Sequence, residues 1–89
     1  MVSVRREKME YCLLDGKEIA NNIRAERNRA RLSQEEVAEK LGITTRTYIS
    51  YEKDARTIGA TMIYKMSLIF ECNVSAFFVQ QNFTKCGMQ

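Results

Sequence analysis

Thr45, Arg46, Ile49 and Ser50 stand at the spacing of one helical face. Hydroxyl, guanidinium and aliphatic groups on an outward face can meet base edges, and a helix pushed outward fits the major groove of duplex DNA. Upstream, Arg24, Arg27, Arg29 and Arg31 crowd into eight positions. Such a run is either a solvated helix face or a patch that neutralises phosphates.

Other chemistries are poorly supplied. The sequence has no His, so the commonest general base and zinc ligand are missing. Cys12, Cys72 and Cys86 are an odd number at wide spacing, neither a disulfide framework nor a metal cluster. They read as thiols in a reducing compartment. No paired carboxylates stand apart from helix-capping roles, and catalysis needs a nucleophile with a base or a metal cluster. The expectation is a binding protein rather than an enzyme, with no cofactor and no metal.

The elements that must position these residues fit into one domain. The chain has 89 residues, 45% hydrophobic and 28% charged, with a net charge of +3. Most of the basic excess lies in residues 1–31. No apolar run reaches the roughly 18 residues of a membrane span, and no signal-peptide core is present. A cytoplasmic location, at the bacterial nucleoid, and no membrane partner are expected.

Start and stop signals divide the chain. Asp15 with Glu18 three residues later is a capping-box variant that opens helix 1, over 16–30. Ile19, Ile23, Ala30 and the stem of Arg27 share its inner face. Ser33 with Glu36 opens helix 2, over 34–41, and Gly42 stops it. Val37, Ala38 and Leu41 are its apolar stripe. Thr44 caps helix 3, over 45–53, with Tyr48 and Tyr51 inward. The short joint Gly42-Ile43-Thr44 forces helices 2 and 3 to cross steeply, and small Ala38 lets them approach. Residues 54–59 form a loop. Gly59 opens helix 4, with Ala60, Ile63, Met66, Ser67 and Phe70 inward. Glu71-Cys72 turn, and Asn73 caps a short helix 5 carrying Phe77 and Phe78. The prediction is an all-α fold of five helices. Residues 1–14 form an N-terminal arm, 15–79 the domain and 80–89 a polar tail.

The ordered set Leu32-Ser33-Gln34-Glu35-Glu36-Val37-Ala38-Glu39-Lys40-Leu41-Gly42-Ile43-Thr44 resembles the helix-turn-helix domain of the Xre family, that of lambdoid phage repressors and Cro. The resemblance continues through Tyr51-Glu52-Lys53, Lys65-Met66-Ser67, Phe70 and Asn73-Val74-Ser75. It covers about residues 17–79 without a gap.

The resemblance implies a lambda-repressor-like DNA-binding domain. It places Thr44, Thr45, Arg46, Ile49 and Ser50 at or beside base-facing positions, where the Arg46 guanidinium suits guanine O6 and N7. It gives Gln34, at a helix N-terminus, a backbone phosphate contact. It makes Arg27 and Glu52 an internal salt bridge, leaving Arg24, Arg29, Arg31, Lys53 and Arg56 for phosphates. Arg31 and Asp54 stand where many members carry Gly, and Ile58 where many carry Pro. Asp54 tolerates a left-handed backbone but brings negative charge near the DNA.

The implied function is a sequence-specific regulator of transcription that binds double-stranded DNA, a repressor of phage, prophage or bacterial origin. Family members bind palindromic operators as dimers. The apolar residues left for a homodimer contact are Phe77, Phe78 and Val79, with Leu13 and Leu14 as the other option. The alternative is a protein-interaction module, such as an antitoxin bound to a partner protein.

Overall fold

A computed structural model of the protein describes residues 15–79. The arm 1–14 and the tail 80–89, with Leu13, Leu14, Cys12 and Cys86, lie outside the described residues. Four α-helices follow in order: α1 (Gly16–Arg29), α2 (Gln34–Leu41), α3 (Thr45–Tyr51) and α4 (Ala60–Phe70). Two 3₁₀ turns join them, Ala55–Thr57 before α4 and Val74–Phe78 after it. Among the described residues there is no strand.

The start signals work through side-chain oxygens. Asp15 accepts from the amides of Lys17 (3.0 Å) and Glu18 (2.9 Å). Ser33 accepts from the Glu36 amide at 3.0 Å, while the Glu36 carboxylate accepts from the Ser33 amide at 2.8 Å. Thr44 accepts from the Thr47 amide at 3.1 Å. Each side chain satisfies donors that a first helical turn leaves open.

The stop signals are less uniform in sequence than in geometry. α1, α2 and α4 all end on a left-handed residue, with the next amide returning five residues along the chain. After α2 that residue is Gly42 (φ 76°), and Ile43 N–H reaches the Ala38 carbonyl at 3.0 Å. After α1 it is Arg31 (φ 62°), and after α4 it is Glu71 (φ 57°). Leu32 N–H closes on Arg27 at 3.2 Å and Cys72 N–H on Ser67 at 3.0 Å. Two of three stops therefore use a residue with a Cβ in a conformation that glycine takes at no steric cost.

Four details differ from expectation. α1 ends at Arg29 and α3 at Tyr51. Asp54 is extended (φ −157°), not left-handed; it starts the first 3₁₀ turn by accepting from the Arg56 amide at 3.0 Å. The expected helix 5 is a 3₁₀ turn. Asn73 gives it no side-chain cap, and its five residues leave little room for α-type bonds.

Ile23, Val37, Tyr48, Met66, Phe70 and Phe77 fill the centre, each almost fully buried. Phe70 and Phe77 meet edge to face at 6.0 Å. Buried Asn22 pins the end of the domain to α1. Its Nδ2 donates to the carbonyls of Phe77 (2.9 Å) and Val79 (2.7 Å). Gly16 is buried where α1 meets the first 3₁₀ turn; a Cβ there would lie 2.0 Å from Asp54 Oδ1.

Candidate nucleic-acid interface

Gly42 and Thr44 fix the corner between α2 and α3, and Ala38, 1% exposed, lets the helices meet. Tyr48 points inward and is fully buried, with Tyr51 beside it, ring centres 6.3 Å apart. The opposite side of α3 is what remains for a ligand. Arg46 and Ser50 are exposed, and Thr45 and Ile49 are half-buried beside them.

The hydroxyls are partly committed. Thr44 Oγ1 donates to Thr47 Oγ1 at 3.0 Å as well as capping α3. Ser50 Oγ donates to the Thr47 carbonyl at 2.6 Å. Both still offer lone pairs outward. The Arg46 side chain bonds to none of the described residues. Among the expected base-facing residues, Arg46 and Thr45 spend no side-chain donor on the described residues, and Arg46 has the most to offer.

Behind this face lies one saturated carboxylate. Glu52, 7% exposed, caps the C-terminal end of α3. Its Oε2 accepts from Arg27 Nε at 2.6 Å and from the Tyr48 hydroxyl. Its Oε1 accepts from Gln34 Nε2 at 3.0 Å and Arg27 Nη2 at 3.2 Å. Arg27 Nη1 also donates to the Leu32 carbonyl at 2.9 Å. Burial pushes the Glu52 carboxyl up, but the bonds from Arg27, Tyr48 and Gln34 outweigh it and hold it below the usual glutamate value. The bond to Glu52 raises Arg27. Burial, then Glu52, pushes the Tyr48 phenol well above its usual value. One ionised carboxylate thus ties α1, α2 and α3 together, and Arg27 extends the network to the α1–α2 loop.

The basic residues do not form one free patch. Arg29 pairs with Glu26 at 2.7 Å and donates to the Phe70 carbonyl at 3.2 Å, so it satisfies the end of α4. Arg56 pairs with Asp54 at 2.7 Å, which offsets its charge. Arg24 donates to Asn21. The side chains of Arg31 and Lys53, both exposed, bond to none of the described residues. Gln34 has spent one amide N–H on Glu52 and keeps the other. Local carboxylates, an asparagine and a helix end thus hold three arginines that sequence alone leaves unassigned.

Phe77 is 0% exposed and is removed from the possible dimer contacts, because it fills the core against Phe70. Phe78 and Val79 are exposed, at 43% and 53%. Sequence reasoning missed Asn22, Tyr64 and Leu68. A lone Asn within a helix carries no signal, whereas Tyr64 and Leu68 fall outside the inward set of α4, and that position was the signal that could have marked them.

Two crossed helices joined by a glycine corner, the second presenting its outer face, define a helix-turn-helix domain. The chain belongs to the helix-turn-helix family HTH_3, whose model matches residues 23–77. Two curated relatives are uncharacterized HTH-type transcriptional regulators of Sinorhizobium medicae and Rhizobium meliloti. Each is 37% identical over 60 residues, covering 67% of this chain and 43% of the relative. The chain therefore spans less than half the length of these relatives. Among solved structures, HppE is similar in fold: the cobalt form in complex with substrate has a TM-score of 0.68 at 15% identity. That match covers 74% of this chain and 37% of HppE. An iron form in complex with substrate gives 0.67 at 15% identity, over 72% and 36%. At this identity the likeness concerns the fold alone. Among the described residues, no group of three His, Cys, Asp or Glu side chains could hold a metal ion, and no helix is long and apolar enough to cross a membrane.

Proposed function

We propose that the chain is a sequence-specific regulator that binds double-stranded DNA with α3 in the major groove and acts as a repressor. The observation that carries this reading is the outer face of α3. Arg46, bonded to none of the described residues, stands beside Thr45, Ile49 and Ser50, while the inner face is locked by Tyr48 and Glu52. A rigid helix with an unspent guanidinium suits bidentate pairing to guanine. Arg31, Lys53, Arg24 and the second amide N–H of Gln34 are the phosphate contacts, and Arg56 contributes through a charge shared with Asp54. The curated relatives are named as transcriptional regulators, which supports this class.

Two copies on a palindromic operator, with half-sites about 34–36 Å apart, give the reach that one short helix lacks. Phe78 and Val79 are the contact carried over from the sequence. A bacterial, phage or prophage origin and a cytoplasmic site of action fit this class. The test is enrichment of binding sequences from a random duplex pool by the purified protein. Recovery of a defined motif that Arg46→Ala loses supports the reading. Uniform retention of all sequences in both proteins counts against it.

A further inference from the structure

α1, the link between α3 and α4, α4 and the last turn enclose a recess of about 560 Å³. Ile19, Ile58, Ile63, Tyr64, Val74 and Phe78 give it an apolar lining, in which Tyr64 and Phe78 stay exposed. Arg56 is the charged residue of that lining among the described residues, and its own Asp54 pairs with it at 2.7 Å. The same Arg56 belongs to a second recess, of about 270 Å³, which takes in Asp15, Gly16 and Lys17. The two hollows are neighbours, and the start of α1 stands at their shared wall. Contact there is close: a Cβ on Gly16 would lie 2.7 Å from Arg56 Cγ. An apolar hollow of this size marks a binding surface.

The chain itself supplies an occupant. Directly before Asp15, outside the described residues, stand Tyr11-Cys12-Leu13-Leu14. They are apolar in a row, whereas Arg5, Arg6, Glu7, Lys8 and Glu10 make the preceding stretch charged. We propose that residues 11–14 fill the recess of their own molecule, with Leu13 and Leu14 against its apolar lining. Reach agrees: four residues extend at most about 14 Å from Asp15, which already stands at the shared wall. Charge agrees, since Asp54 neutralises Arg56 and residues 11–14 bring no charge of their own. A third observation is an acceptor in want of a donor. Glu18, on the first turn of α1, has its Oε1 shielded from solvent with no hydrogen-bond partner among the described residues. Buried acceptors are paired as a rule, and helical side chains lean toward the N-terminus. The segment enters at that end and carries the amides of Leu13 and Leu14 past Glu18.

Entropy favours this occupant over a separate molecule. A free peptide or a second copy first loses its translational and rotational freedom. A segment joined at the rim closes a loop of only a few residues. Once filled, the recess clamps the start of α1 to Ala55, Arg56 and Ile58, the link that leads out of α3, and to α4. Leu68 and Val79 lie outside the lining and stay open. The proposal stands apart from the DNA reading, and its test uses no DNA.

Disulfide trapping in the full 89-residue chain tests it. With Cys72→Ser and Cys86→Ser in place, Cys12 is left with one partner thiol, introduced by Tyr64→Cys in the lining. Micromolar protein with oxidised glutathione should give a disulfide within one chain. It should form at least about tenfold faster than with Glu39→Cys, an exposed site on α2 outside the recess. Equal rates at the two sites overturn the inference, and so does a disulfide between two chains. Melting is the second readout. Leu13→Ser combined with Leu14→Ser should lower the melting temperature by about 5–15 °C, because two side chains leave an apolar site. The same variant should bind 8-anilinonaphthalene-1-sulfonate with a fluorescence gain that the wild type does not give. Wild-type melting without a dye signal overturns the inference. Removing residues 80–89 should change neither readout; a dye signal there assigns the recess to that segment and overturns the inference as well.

Discussion

Gln34, the first residue of α2, donates its side-chain amide to the carboxylate of Glu52, which caps the far end of α3, at 3.0 Å. The two helices of the motif are thereby joined at the end away from their glycine corner. The angle between them is held at two places, Gly42 and Glu52, rather than by the turn alone. Arg27 supplies the opposite charge from α1 and Tyr48 the fourth donor.

Removing one partner of this pair leaves a buried charge uncompensated. Arg27→Ala and Glu52→Ala should each cost about 3–5 kcal/mol. Gln34→Ala removes one of four donors and should cost about 1 kcal/mol. Thermal melts of the three variants give the order, and wild-type melting of Arg27→Ala would show that the pair does not carry stability.

The pH profile follows from the same group. Glu52 has a folded pKa below its unfolded value of about 4.3, so its contribution is fully present above that value. It is lost as pH falls further, through the depressed folded value. Tyr48 is raised above its unfolded value of about 10, so its contribution is present below that pH and fades above it. Denaturant titrations from acid to alkaline pH should show both limbs. Glu52→Gln should flatten the acid limb and Tyr48→Phe the alkaline one.

Arg31 offers a change of opposite sign for stability and binding. Its left-handed backbone (φ 62°) carries a Cβ cost that glycine lacks. Arg31→Gly should raise stability by about 0.5–1 kcal/mol and weaken binding to every duplex alike. A melting curve and a filter-binding titration on mixed-sequence DNA measure the two effects. A drop in melting temperature would show that the turn bears no strain.

Arg46 and the phosphate contacts separate by salt and sequence. Arg46→Ala should lose about 1–3 kcal/mol on an enriched duplex and little on random DNA. Lys53→Ala should weaken both and reduce the slope of log K against log salt by about 0.9. An equal loss on both duplexes in Arg46→Ala assigns that residue to phosphate instead.

Asn22 holds the carbonyls of Phe77 and Val79 to α1. Asn22→Ala leaves two acceptors in a tight site without their donor, at a cost of about 1–3 kcal/mol. Hydrogen exchange should accelerate across residues 74–79 before it does in α2 and α3. Uniform acceleration over the whole domain would show that the segment does not open separately.

Four α-helices and the corner between α2 and α3 are legible in the sequence, while the 3₁₀ character of residues 74–78 is not. Ser33 with Glu36, Thr44, and Gly42 act through bonds that span three to five residues, so local chemistry decides them. The inward set of Val37, Ala38, Leu41 and Tyr48 follows from helical period, and the order of caps and apolar positions was enough to name the family. The Arg27–Glu52 pair came through that resemblance, since 25 residues separate the partners. Tertiary structure decided which charges remain for a ligand. Arg29 goes to the carbonyl of Phe70 at the end of α4, 41 residues away, because an arginine finds the nearest acceptor in space. The same holds for Phe77 and Phe78, adjacent in sequence with one ring buried and the other exposed. It holds for Asn22, whose partners lie more than fifty residues away. Hydrogen bonds and burial at such separations depend on how the helices pack, and no local pattern encodes that.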